Sequence, residues 1–277
     1  MSARHVLVTG GSMGIGLSVA HALAAEGARL TLVARGEEAL RRAVDGLPGE
    51  GHRGQTLDVA DEQGWSAFSS RLEELHGLVC AAAVLGPIGP PGSYAPADFL
   101  RTLEINLFGT LLAIHNCLPA LRVSRGAIVT FSGGGASSPL PRYDAYAASK
   151  AAVVRLTENL AGDLSQEGIR INCVAPGLIA TRMHEGTLTA GPELAGEDYY
   201  ERTKRELRSG GASAEEAAAL VCFLLGSERQ APFSGKLLSA RWDAWRERDF
   251  QQRLLADRDL ATLRRIDDMA FTARQET

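Results

Sequence analysis

Thr9-Gly-Gly-Ser-Met-Gly-Ile-Gly16 is the stretch whose reading decides the fold. Just before it, His5-Val-Leu-Val8 is a short apolar, β-branched run with the character of a buried parallel strand. Just after it, residues 17–26 carry apolar positions at helical spacing and stop at Gly27. Strand, glycine turn and helix in that order are the setting of a dinucleotide fingerprint, in which Gly10, Gly14 and Gly16 let backbone approach a pyrophosphate. The helix then offers free N–H groups and the positive end of its dipole. A tight turn in any doubly wound domain reads the same way, and the wide gap between Gly10 and Gly14 departs from the commonest dinucleotide spacing.

The composition bounds the answer. The chain has 277 residues, 45% of them hydrophobic, which suits one large α/β domain with a substantial core. A net charge of −4 with no basic block argues against a nucleic-acid partner. A first strand at His5 leaves no room for a leader, and no apolar run reads as a bilayer span, so a cytoplasmic protein without a membrane partner is expected. The four cysteines (Cys80, Cys117, Cys173, Cys222) are scattered through apolar surroundings and read as reduced core residues. The six histidines show no ligand spacing, so no metal is expected.

Along the chain, strands are predicted at 5–8, 29–34, ending at 57–59, at 77–84, 126–132, 169–174 and within 235–240. Helices are predicted at 17–26, 37–47, 61–75, 99–121, 144–164 and 214–226, with a polar helical insertion at 182–211. This alternation implies right-handed βαβ units and one doubly wound parallel sheet with helices on both faces. Ligands of such sheets sit beyond the carboxyl ends of the strands. The glycine turn, Arg35, Asp58, Cys80–Ala83, Ser132 and Pro176-Gly177 all fall at those ends. The expected organisation is one domain over 1–245, including a lid at 182–211, and a helical extension over 246–277.

Tyr146-Ala-Ala-Ser-Lys150 carries the chemistry. Residues four apart on a helix share a face. A phenol titrates near 10 and is a poor acid–base group at neutral pH, but a nearby ammonium stabilises its phenolate. Reduction of a carbonyl by hydride needs a proton for the developing alkoxide, which such a pair supplies.

Taken together, Thr9-Gly-x-x-x-Gly-Ile-Gly16, Leu57-Asp-Val59, Asn106, Tyr146-x-x-x-Lys150 and Pro176-Gly-Leu-Ile-Ala-Thr181 resemble, in order, the short-chain dehydrogenase/reductase family over roughly residues 5–240. The resemblance accounts for the wide first glycine gap. It implies a Rossmann-like single domain, an oxidoreductase (a ketoreductase in the first instance) and a homodimer or homotetramer joined through the long helices around Asn106 and Tyr146. It implies that Tyr146 is the general acid in reduction and the base in oxidation. Lys150 would hold the nicotinamide ribose and depress the Tyr146 pKa. Asn106 would kink its helix and hold a water in a proton relay. For the cofactor it implies Gly10, Ser12, Met13, Gly14, Ile15 and Gly16 at the phosphates, and Asp58 and Val59 at the adenine. Ala81 and Ala82 would lie along the cofactor by their backbone, and Pro176, Gly177, Ile179 and Thr181 would orient the carboxamide.

Two departures stand out. The position of the family's catalytic serine falls on Gly133, and Ser132, one residue earlier, is the favoured substitute, with Ser137 and Ser138 as further candidates. Cys80-Ala-Ala-Ala83 replaces the family's Asn-Asn-Ala-Gly, which is expected to weaken the side-chain bonding that fixes the fourth strand. At the tip of the second strand, Ala34-Arg35-Gly36 offers no carboxylate against a 2′-phosphate, so NADP(H) is preferred and NAD(H) allowed. A dehydratase or epimerase, or a cofactor-binding subunit without redox activity, are the alternative functions on this scaffold. In the lid, Arg182 and His184 are the favoured substrate contacts among Tyr199, Tyr200, Lys204, Arg205 and Arg208. Trp242 or Trp245 is expected either to wall the substrate pocket or to pack on the domain or on a neighbouring subunit. The apolar stripe Phe250, Leu254, Leu255, Leu260, Leu263 and Ile266 needs a partner surface.

Overall fold

The computed structural model describes residues 4–179, 182–226 and 231–265. Seven parallel strands form one sheet in the order β3-β2-β1-β4-β5-β6-β7. They are β1 His5–Thr9, β2 Arg29–Ala34, β3 Arg53–Thr56, β4 Gly77–Cys80, β5 Ala127–Phe131, β6 Arg170–Ala175 and β7 Leu237–Ser239. The order reverses direction at β1, between β2 and β4, which is where such a sheet opens a crevice for a ligand.

Strand alternation sorts the core into two layers. On one face Val6, Val8, Val129 and Phe131 pack against α1 (Gly14–Ala25), α2 (Glu37–Asp45) and the Ala214–Leu224 helix. On the other, Leu7, Leu78 and Ile128 meet α3 (Glu62–Ser69) and the apolar side of the Gly109–Ser124 helix. The remaining helices are α4 (Pro96–Leu103), α5 (Gly109–Ser124), α6 (Asp144–Asp163), α7 (Arg182–Ala195), α8 (Glu197–Arg208), α9 (Ala214–Leu224) and α10 (Arg248–Ala256).

The structure moves several predicted boundaries. β3 ends at Thr56, and Leu57-Asp58-Val59 lies beyond it in the turn into α3. Helix α3 stops at Ser69, where the Ser69 and Ser70 hydroxyls turn back onto the Ser66 and Ala67 carbonyls. Within 77–84, β4 spans Gly77–Cys80 and the exit follows it. The predicted helix at 99–121 runs from Pro96 to Ser124 with a π turn, Glu104–Phe108, joining α4 to α5. That 29-residue run is long and apolar enough to cross a bilayer by length and composition, contrary to the sequence reading, although 44% of its most apolar window is buried in this domain. Its apolar content serves the core on one side, while Leu100, Phe108 and Leu111 stay exposed on the other. The insertion divides at Gly191, whose φ of 75° breaks the helical path.

Most of the C-terminal stripe finds its partner within the chain, although Leu255 stays exposed. Phe250 and Leu254 join the α1–α9 core layer, and Leu263 packs with Ala136, Val154 and Cys173. Ile266 lies outside the described residues. Trp245, 3% exposed, stacks on Phe223 at 5.3 Å in that same layer, so it packs on the domain and not in a substrate pocket. Trp242 is 77% exposed.

Trp65 anchors the segment after β3. It is fully buried, and its indole N–H donates to the Val59 carbonyl at 2.9 Å, holding Asp58-Val59 beside the crevice. Trp65→Phe orphans that carbonyl and should lower stability by about 1–3 kcal/mol. Urea unfolding checks this: the midpoint falls at unchanged slope. An unaltered midpoint would show that the bond holds nothing.

Candidate active site

The glycine turn has the geometry of a phosphate cradle. Gly10 adopts φ 67°, and a Cβ there would lie 2.8 Å from the Ala82 nitrogen and Cα. A Cβ on Gly16 would collide with the Gly10 carbonyl. Both positions therefore require glycine, because two backbone segments touch. Gly14 is likewise left-handed, at φ 55°. Met13, at the N-cap of α1, is extended and provides no side-chain cap, so the first amides of the helix point outward unpaired by it. Ser12 and Ile15 are half-buried on the turn, and the Ser12 hydroxyl makes no hydrogen bond among the described residues. An uncapped helix start above glycines that only backbone contact explains fits a pyrophosphate.

The edge of the crevice is more engaged than the sequence suggests. Arg35 is exposed, without an ion pair among the described residues. It lines a cleft of about 510 Å³ with Leu57, Asp58 and Arg71, the last a cation that sequence reading passed over. Asp58 is held in place: one carboxylate oxygen accepts from Arg101 at 2.8 Å and the other from the Ala60 amide at 3.0 Å, which leaves each oxygen a further acceptor site. Arg101 also pairs with Glu104 at 3.1 Å. No local pattern announces an ion pair across 43 residues. Val59 is buried beneath this corner.

The fourth-strand exit is held in spite of its lost amides. The Thr9 hydroxyl accepts from the Ala82 amide at 3.3 Å, and the Thr9 carbonyl accepts from Ala81 at 3.2 Å. Further on, Asn106 grips Val84 twice: its Oδ1 accepts from the Val84 amide at 2.8 Å, and its Nδ2 donates to the Val84 carbonyl at 2.9 Å. The expected weakening is thus compensated by Thr9 and Asn106. The second Nδ2 hydrogen goes to Ser149 Oγ at 3.0 Å, and Ser149 donates to the Tyr146 carbonyl at 2.7 Å. Both Nδ2 hydrogens are thus engaged, and the Asn106 main-chain carbonyl accepts from the Thr110 hydroxyl at 2.8 Å. The kink expected at Asn106 takes the form of the π turn.

Tyr146 and Lys150 lie one turn apart on α6, 9% and 4% exposed. The ammonium is 5.8 Å from the centre of the Tyr146 ring and donates to the Phe131 carbonyl at 3.0 Å. Burial lowers the Lys150 pKa to about 8, partly offset by Cys173 and Cys80 beside it. Burial, with Tyr199 adding to it, raises the Tyr146 phenol well above its usual range, so the phenol is held protonated.

Gly133, not Ser132, faces the Tyr146 hydroxyl. A Cβ on Gly133 would overlap that oxygen and lie 2.8 Å from Cζ. Ser132 is buried and its amide extends the ladder to the Val174 carbonyl at 2.9 Å. No hydrogen bond joins its hydroxyl to Tyr146 or Lys150 among the described residues, and the same is true of Ser137 and Ser138.

Beyond β6, Pro176 is buried, Gly177 is left-handed at φ 82°, and Ile179 bridges to Gly211. Thr181 and the Arg182 side chain lie outside the described residues. The lid helices close over Tyr146 through Tyr143, a residue the sequence reading missed although it starts the same helix. The Tyr143 hydroxyl donates to Thr187 at 3.1 Å, and its ring meets Tyr199 at 4.9 Å. Arg142, left-handed at φ 73°, donates to the Glu193 and Leu194 carbonyls at the end of α7. His184 has a lowered pKa, chiefly from burial, and its Nδ1 is buried without a partner. Among the described residues no cluster of histidine, cysteine or carboxylate side chains has metal-binding geometry.

Comparison with known proteins agrees with this arrangement. The family model described as short chain dehydrogenase matches residues 4–190. Levodione reductase of Leifsonia aquatica is 34% identical over 238 residues, covering 81% of this chain and 88% of that protein. The structure of a single-substitution variant of actinorhodin polyketide ketoreductase with NADPH superposes with a TM-score of 0.75 at 27% identity, covering 86% of this chain and 95% of that one. An NAD+-bound xylitol dehydrogenase gives 0.76 at 25% identity, covering 85% and 96%. With a cradle for a nicotinamide dinucleotide at one end of the crevice and a buried Tyr–Lys pair at the other, the chain belongs to the short-chain dehydrogenase/reductase family.

Proposed function

We propose that this protein interconverts a carbonyl and a secondary alcohol, with NADP(H) as the preferred cofactor and Tyr146 as acid in reduction and base in oxidation. The observation that carries the reading is the joint burial of Tyr146 and Lys150 at the carboxyl ends of the strands, beneath the lid. A structural role gives neither residue a reason to be there, since a buried ammonium with one carbonyl partner is costly.

The nicotinamide supplies or accepts the hydride. Tyr146, protonated because it is buried, gives its proton to the substrate oxygen as charge develops there. The Lys150 ammonium stabilises the phenolate left behind. Gly133 adds no hydroxyl, so Tyr146 is the donor to that oxygen in this reading. The lid excludes water, which strengthens both interactions. Gly10, Gly14 and Gly16 with the uncapped start of α1 hold the pyrophosphate, and Arg35 pairs with a 2′-phosphate. Exposed Leu100, Phe108 and Leu111 support a homodimer or homotetramer joined through the long helix. A cytoplasmic location is part of the same proposal.

Three experiments test this. Tyr146→Phe should lower turnover by roughly 1,000-fold while NADPH still binds; retained turnover rejects the acid–base role. Arg35→Ala should weaken NADPH binding by roughly tenfold or more and leave NADH nearly unaffected, as read by fluorescence titration. Tighter binding of NADH than of NADPH by the unaltered protein overturns the cofactor preference. For reduction, kcat/KM should fall as pH rises through about 8, where Lys150 loses its proton. In Lys150→Arg, whose side chain stays charged, that fall should vanish; its persistence at the same pH assigns it to another group.

A further inference from the structure

The turn beneath the tyrosine has little of its own to hold it in place. Ser132-Gly-Gly-Gly-Ala136 leaves β5 and runs along α6, with Gly135 left-handed at φ 87°, where a Cβ would lie 2.5 Å from that of Ala147. Within the turn the Ala136 amide donates to the Gly133 carbonyl at 3.2 Å. Three successive glycines lose the most conformational freedom on ordering, so their place depends on what packs at the end of the turn. Ala136 is buried there with Val154 and Cys173, and Leu263, from the far end of the chain, packs against this cluster beside Leu237.

A strap delivers Leu263 to that point. After α10 the chain crosses the outer edge of β7, where the Leu237 amide donates to the Ala261 carbonyl at 2.7 Å. The Lys236 ammonium, on a side chain 4% exposed, donates to the carbonyls of Asp257, Arg258 and Leu260 at 2.8, 3.1 and 3.0 Å. Three acceptors match its three donors, so this buried charge is fully hydrogen-bonded. Ala261 is left-handed at φ 56°, a conformation that a non-glycine residue keeps only when its surroundings impose it. The tip is then tied to the helix that carries Tyr146 and Lys150. Arg155 donates to the Leu263 carbonyl at 2.7 Å, and Glu158 accepts from Arg155 and from Arg264 at 2.5 Å each. Arg264 also meets Asp259 at 2.6 Å.

We infer that Leu263 is a positioning residue for the reaction: by packing at Ala136 it keeps the Gly133 turn seated against the Tyr146 hydroxyl. This rests on the reading of Tyr146 as the acid–base group. Gly133 and the phenol are in direct contact, so a shift of the turn changes both the room for the hydroxyl and the water around it. Geometry at a reacting group is demanding, and a displacement of about 1 Å costs up to roughly 100-fold in rate. Helix α6 is the common frame. Its first turn presents Tyr146 and its later turns present Arg155 and Glu158, so the strap fixes Leu263 relative to the tyrosine. Covering the β7 edge asks for less. The Lys236 and Ala261 bonds meet that need, and the further run to Leu263 with its ties to α6 adds nothing to it.

The test is hydrogen–deuterium exchange of the full chain with NADPH, paired with steady-state kinetics on the fastest of cyclohexanone, acetophenone and ethyl acetoacetate. The Ser132 and Ala136 amides, both hydrogen-bonded, report on the turn. Leu263→Ala should speed exchange over residues 132–136 by roughly tenfold and leave β1 and α1 unaltered. It should lower kcat by roughly tenfold, with KM and NADPH affinity within about twofold of the unaltered protein. Leu263→Met should restore both. Leu255→Ala, exposed on α10, should change neither. Arg264→Ala, which frees the tip but keeps the leucine, should move exchange and kcat in the same direction and serves should Leu263→Ala not fold. Unaltered kcat and exchange in Leu263→Ala, or exchange raised equally over β1 and α1, makes the strap an edge cover only and overturns the proposal. A response to Leu263→Ala beside full turnover in Tyr146→Phe keeps the dependence of the turn on the strap and defeats Tyr146 as the acid.

Discussion

One buried carboxamide holds the reactive corner together. Asn106 is completely buried and makes three side-chain hydrogen bonds, two to the Val84 backbone and one to Ser149. Through Ser149 the chain continues to the Tyr146 carbonyl. The exit of β4, the long helix and the start of α6 are thereby one unit. Each bond is worth about 1 kcal/mol net, but an orphaned partner costs more, so the network is strong chiefly against being broken. Asparagine meets the requirement because the site needs an acceptor and two donors from one planar group. Aspartate lacks the donors, and leucine lacks both. The π turn at Glu104–Phe108 inserts one residue into the helical path, and Asn106 sits at its centre.

A second network answers for the departure at 80–83. Three alanines there leave no side-chain polarity to fix the strand exit, and the backbone instead receives it from Thr9, on the neighbouring strand. Small side chains also permit what larger ones forbid. The Ala82 backbone lies against Gly10 so closely that a Cβ on the glycine has no room. The phosphate cradle and the β4 exit are therefore packed as one piece of backbone, and their mutual position does not depend on amide side chains.

The fold was legible wherever a local pattern carried it. Apolar β-branched runs marked β1, β2, β5 and β6, and Gly10, Gly14 and Gly16 marked the cradle, because each is a short-range requirement of backbone geometry. β3 was misplaced because its Arg53-Gly-Gln-Thr56 sequence has no strand pattern, and the buried Leu57 and Val59 just beyond it do. In the site, Tyr146 and Lys150 were legible as a spaced pair on one helix. The Arg101–Asp58 ion pair, the Tyr143–Thr187 bond and the burial of Trp245 were not, since each joins residues whose proximity only the tertiary fold creates. Ser132 shows the limit of register reasoning. Sequence alone set it one residue from the expected position, but only packing reveals that Gly133 lies against the tyrosine hydroxyl.

That glycine and the apolar lid belong to the same physical arrangement. A side chain at 133 would meet the Tyr146 hydroxyl where it now lies, so the bare position lets the tyrosine pack directly against this backbone. Depth removes water from the phenol and raises its pKa, which favours the acid form and makes the nearby ammonium of Lys150 more important to any phenolate. The ammonium itself is less stable for the same reason. A site of this kind gains its electrostatic leverage from dryness rather than from many donors. Dryness in turn has to be maintained by what surrounds the tyrosine, and Tyr143, Tyr199 and Ala195 do so with ring and methyl surface. Replacing those walls by polar groups would readmit water and lower the phenol again, so the loss of the serine position and the apolar character of the lid constrain one another.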